Sequence, residues 1–145
     1  MAIKFPSIDF FQELARRMDA NAAEFEKLGF CDTVMGVKVD AESSHLYALT
    51  FEVFECSDVR ELASPEDVEL DFMLEAPLPL WRQMFESLRE TGQPEPAYTL
   101  NSLSHVGDRM RVVYDDPEGH DKFYRFMATL QAFVNQASDL DIEWA

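Results

Sequence analysis

Basic residues, glycine and cysteine are all scarce in this 145-residue chain, and each shortage closes off a class of function. Twelve Lys and Arg stand against 28 Asp and Glu, a formal net charge of -16. Such a surface repels phosphate backbones and anionic membrane surfaces, so no nucleic acid is expected as a partner, and no docking through a polybasic patch. The five glycines, at positions 29, 36, 92, 107 and 119, lie too far apart for a dinucleotide fingerprint or a P-loop. Cys31 and Cys56 form no C-x-x-C or Cys/His cluster and read as small buried residues in or beside strands rather than as a disulfide. No apolar run approaches the roughly 20 residues of a membrane span. Met1-Ala2-Ile3-Lys4-Phe5-Pro6 lacks the apolar core of a secretory signal, so the expectation is a cytoplasmic protein. His45, His105 and His120 show neither H-x-H nor H-E-x-x-H spacing. No metal and no cofactor is expected.

What is present is apolar patterning. At 47% hydrophobic and 28% charged residues, the composition is that of a globular protein, and the length suits one domain spanning 1–145. Ser7 caps an expected helix from Ile8, whose face Phe11, Leu14, Met18, Ala22 and Phe25 runs on to Gly29. The period then shortens to two. Met35, Val37 and Val39 alternate with Gly36 and Lys38, and Tyr47, Leu49, Phe51 and Val53 alternate with Ala48, Thr50 and Glu52. Residues 57–63 suggest a short edge strand, and Val68, Leu70, Phe72 and Leu74 read as the clearest strand of all. Pro77 and Pro79 admit a helix from about Leu80 to Gly92. Leu103-Ser104-His105-Val106 reads as a short strand stopping at Gly107-Asp108, and Met110, Val112 and Tyr114 as another. A final helix follows the turn at 115–119. This order predicts an α+β fold: an antiparallel five-stranded sheet with helices packed on one face, as a two-layer sandwich.

No constellation of catalytic groups stands out. Ser104, His105 and Asp108 invite a hydrolase reading, but adjacent residues on a strand point to opposite faces, and triads are assembled from separate parts of a fold. Glu69, Asp71 and Glu75 read as the solvated face of a strand, with Met73 the apolar exception. The two helical stripes are richer in Met, Phe and Trp. Trp81, Met84, Phe85 and Leu88 form one; Phe123, Phe126, Met127 and Leu130 begin the other, which continues through Phe133, Val134 and Ala137. Side chains of this kind form ordinary core or the adaptable wall of an apolar pocket. The eight residues from Trp81 to Leu88 and from Phe123 to Leu130 are the candidate ligand-binding set. Tyr98, Tyr124 and Arg125 suit its polar mouth.

The arrangement resembles the sterol carrier protein 2 family. The matching pieces are Thr33-Val34-Met35-Gly36-Val37-Lys38-Val39, Val68-Glu69-Leu70-Asp71-Phe72, Leu80-Trp81-Arg82-Gln83-Met84-Phe85 and Leu103-Ser104-His105-Val106-Gly107-Asp108, within a span from about Ile8 to Val134. The chain differs from the family pattern by inserting residues 109–119 before the last helix and by ending Ile142-Glu143-Trp144-Ala145, without a Ser-Lys-Leu tail. The resemblance implies sterol, fatty acyl or acyl-CoA binding in a tunnel between helices and sheet, without catalysis. An apolar small molecule is thus the expected partner. Two further readings remain: a small lyase or isomerase acting on a hydrophobic substrate through His105 and Asp108, and an acidic interaction module pairing as a homodimer.

Overall fold

The computed structural model describes residues 2–105 and 109–145. Strand β1 (Ile3–Phe5) leads into helices α1 (Ile8–Ala20) and α2 (Ala22–Glu26). A meander follows: β2 (Thr33–Asp40), β3 (Ser44–Glu52) and β4 (Glu55–Leu62). After a 3-10 turn at Pro65–Asp67 come β5 (Phe72–Pro77), α3 (Leu78–Thr91) and α4 (Leu100–His105). Strand β6 (Arg111–Val113), helices α5 (Pro117–Arg125) and α6 (Met127–Asn135) and strand β7 (Ile142–Trp144) complete the chain.

Local chemistry accounts for many of these boundaries. The Ser7 hydroxyl accepts a hydrogen bond from the Phe10 N–H at 3.1 Å, which starts α1 where a capping residue was expected. The Gly92 backbone, at φ 75°, ends α3 and donates to the Leu88 carbonyl at 2.8 Å. The expected first helix is two pieces, since the chain breaks at Asn21. The final helix likewise breaks at Phe126, which separates α5 from α6. The edge strand expected at 57–63 is the longer β4.

The sheet order is β4-β3-β2-β5-β6. It is mixed and not purely antiparallel as expected, because β2 and β5 run parallel, with Met35 beside Phe72 and Val39 beside Ala76. The remaining pairs are antiparallel. A parallel partner demands a long return of the chain. Residues 63–71 make that return across the sheet face remote from the helices, started by a capping box between Ser64 and Asp67. This corrects the expectation of a strand beginning at Val68. Asp71 turns the chain into the sheet instead: its carboxylate accepts from the Val34 N–H at 2.8 Å and the Thr33 hydroxyl at 2.9 Å. It also meets Lys122 Nζ at 3.3 Å, which ties α5 to the same corner. Gly119 lets α5 come this close, since a Cβ there would lie 1.9 Å from the Asp71 carbonyl oxygen. Leu103 to His105 is helical and not a strand, while Val106, Gly107 and Asp108 lie outside the described residues. Chain ends outside the expected pattern form a separate parallel ribbon, β1 beside β7, with Phe5 opposite Trp144.

Side-chain alternation divides the sheet into an inner and an outer face. Met35, Val37, Leu49, Phe51, Phe72 and Leu74 face the helices within the main core, alongside Phe10, Leu14, Phe85 and Phe133. On the outer face Leu46, Ala48, Leu62 and Met73 form a small separate cluster, with Val68 and Leu70 of the returning segment packed on it.

Candidate functional site

Helix α3 carries Trp81, Met84, Phe85 and Leu88 on its buried side, each 2% exposed or less. The Trp81 indole N–H donates to the Ala76 carbonyl at 3.1 Å, so this large ring leaves no buried donor unpaired. Phe123 on α5, Phe126 at the break and Leu130 on α6 are also buried, and Met127 packs at the margin of the same cluster. All eight candidate residues therefore belong to or border one continuous apolar layer between the helices and the inner sheet face. Ring contacts separate the two stripes within it. Phe85 lies against Phe5, Phe10 and Trp144, whereas Phe123 lies against Phe72 and Phe133 against Phe51.

Phe5 was missed in the sequence. Its ring sits among Phe10 (4.8 Å between centroids), Phe11, Trp81, Phe85 and Trp144. The only signal was an apolar residue before a proline near the start of the chain, and its burial depends on the remote pairing of β1 with β7.

Of the eight residues, Phe126 also reaches a surface opening. Beside the α5–α6 break is a cleft of about 250 Å³ lined by Phe126, Arg125, Ala128 and Thr129 together with Leu28, Gly29 and Phe30. Phe30 and Leu28 are 59% and 44% exposed, and the Phe30 ring lies 6.2 Å from that of Phe126. Arg125, paired with Asp121, stands beside this apolar opening. Of the three side chains expected at a polar mouth, Arg125 is the residue that lines this cleft. Tyr98 lies elsewhere, its ring under the Arg109 guanidinium.

Among the described residues, His105 is exposed and both of its ring nitrogens have partners. Its Nδ1 lies 2.8 Å from the Asn101 carbonyl, which can only accept, so Nδ1 carries the proton. Nε2 is hydrogen-bonded to the Tyr124 hydroxyl at 3.0 Å. The pair braces α4 against α5. Ser104 donates to the Asn101 carbonyl at 2.9 Å, and Asp108 lies outside the described residues. Cys31 and Cys56 are free and buried, and burial pushes both thiols up to about 12, which keeps them in the unreactive protonated form. Among the described residues, no group of three or more His, Cys, Asp and Glu side chains could hold a metal ion, and no helix is long and apolar enough to cross a membrane.

Helices laid over one face of a β4-β3-β2-β5-β6 sheet define a sterol carrier protein 2-like fold. A crystal structure of sterol carrier protein 2 is similar over 91% of this chain and 95% of its own, with a TM-score of 0.65 and 15% identity. A conserved hypothetical protein of Thermus thermophilus is similar over 91% of this chain and 88% of its own, with a TM-score of 0.65 and 14% identity. The apo form of sterol carrier protein 2 from Yarrowia lipolytica is similar over 91% and 89%, with a TM-score of 0.50 and 12% identity. No protein-family profile and no curated protein sequence matches the chain.

Proposed function

We propose that this protein binds and carries an apolar or amphipathic small molecule, fatty acyl or sterol-like, between the helices and the inner face of the sheet. The observation that carries the reading is Phe126. It stands at a helix break, belongs to the interlayer core and forms one wall of the cleft beside exposed Leu28 and Phe30. A guest enters there as the Phe126 ring swings aside, and its tail lies along the layer holding Phe123, Met127 and Leu130, then Trp81, Met84, Phe85 and Leu88. Met side chains suit such a wall, since three rotatable bonds let them reshape around a tail. The cleft is smaller than a typical ligand pocket of roughly 300–1,000 Å³, so binding widens it. Arg125 exchanges Asp121 for the carboxylate of a fatty acid. The likeness to proteins named as sterol carriers supports the choice of guest.

Native mass spectrometry of the purified protein and displacement of a fluorescent fatty acid test the proposal. Saturable, competable binding is expected, and Ala128→Trp, which fills the cleft without removing core, weakens it by about tenfold while leaving the melting temperature unchanged. Absence of saturable binding for both fatty acid and sterol probes refutes the carrier role.

A further inference from the structure

The outer face of the sheet holds a second cleft, of about 420 Å³, between the returning segment 63–71 and strand β6. Its origin is topological. Over β2 and β5 the segment lies close to the sheet: a Cβ on Gly36 would come within 2.9 Å of both Leu70 Cδ1 and Met73 Cγ. Toward β6 the cover of the segment is incomplete, and Met73, itself only 7% exposed, and Val113, its neighbour in the β5–β6 register, form an apolar floor beside Val68 and Leu70.

The rim has a different chemistry. Glu66 and Glu69 stand on one side, Asp115 on the other, and among the described residues no Lys or Arg lines the cleft. Tyr114 also stands at the rim, its ring stacked on His120 at 4.2 Å and 11°. An apolar floor accepts a hydrocarbon body, three carboxylates accept a positive charge, and a tyrosine ring braced at the rim offers its π-face to a cation. A fatty acid carboxylate is repelled by the same rim.

We infer that this outer cleft binds a hydrophobic cation, an alkyl or aryl ammonium compound, with its carbon chain on Met73 and Val113 and its ammonium group among Glu66, Glu69 and Asp115. The site is on the opposite side of the sheet from the carrier site proposed above and does not depend on it.

Methyl NMR with decylamine at neutral pH, against decanol and decanoate, tests the inference. Saturable shifts are expected at the Met73, Val113 and Val68 methyls for decylamine, weakening with salt, and none for decanoate. The Glu66→Gln, Glu69→Gln double variant changes two exposed side chains, is expected to keep the parent's melting temperature, and binds decylamine about tenfold more weakly. Ala128→Trp leaves this binding unchanged, so failure here and failure of the carrier reading are distinguishable. Equal affinity for decanol, insensitivity to the double substitution, or shifts confined to Met127 and the α5–α6 break each overturn the inference.

Discussion

The two faces of the central sheet are built from alternate residues of the same strands, and they end in different states. Inside, Val37, Leu49, Phe51 and Phe72 meet amphipathic helices and a network of edge-to-face rings, so large side chains are withdrawn from water together. Outside, Leu46, Ala48, Leu62 and Met73 are covered by one irregular segment contributing Val68 and Leu70. Alternation supplies an apolar face; the element laid upon it decides whether that face becomes packed core or leaves a cleft.

The largest expected effect probes that contrast directly. Phe85→Ala removes a fully buried ring from the inner layer and costs about 3–5 kcal/mol, while Leu46→Ala on the outer face, under a segment able to settle, costs about 2 kcal/mol. Urea denaturation measures both, and equal losses erase the distinction between the faces. A smaller effect sharpens it. Gly36→Ala places a methyl group against the movable end of Leu70 and against the fixed root of Met73, whose Cβ would lie 3.1 Å away, and destabilises by about 1–2 kcal/mol. Hydrogen exchange is expected to accelerate at residues 68–71 and to stay unchanged in α3; a uniform acceleration denies the segment its independence. The smallest effect is electrostatic and belongs to the solvent side of α1. Hydrogen bonds from Arg16 and then Arg17 hold the Glu13 carboxyl down from 4.5 to about 2. Arg17 also pairs with Asp139, joining α1 to the 3-10 turn at Gln136–Asp139. A lowered carboxyl stabilises the folded state above its unfolded value, and that contribution is lost as pH falls from about 4.5 toward 2. Glu13→Gln is therefore expected to be less stable than the parent by at most about 1 kcal/mol at pH 7, and to converge with it near the lower limit. A difference that persists unchanged through this range assigns the effect to packing.

Much of the scaffold was legible where a local rule operated without competition. Ser7 and Gly92 marked a helix start and a helix end, the two-residue period of β2 and β3 placed their inner residues, and the stripe on α3 identified its buried side. The misread elements share a cause. Val68 to Leu74 alternates like one strand, but the hydrogen bonds from Thr33 and Val34 to Asp71 take Val68 and Leu70 out of the sheet and leave only the second half in β5. The final stripe reads as one helix, yet the chain breaks at Phe126 with its apolar face still buried on both sides. Phe126 appeared in the candidate set as one residue among eight; its place beside the cleft depends on Leu28 and Phe30, almost a hundred positions away in the chain.

Charge balance, helix caps and apolar periodicity act between residues a few positions apart, and these the sequence determined by itself: an acidic α+β chain with one heavily apolar layer. The parallel alignment of β5 with β2, the ribbon joining the two chain ends around Phe5 and the acidic rim gathered from Glu66, Glu69 and Asp115 were decided only by the tertiary structure. Each depends on contacts between distant segments, and such contacts form only when the hydrophobic gain of the whole layer offsets the entropy of closing the loops between them.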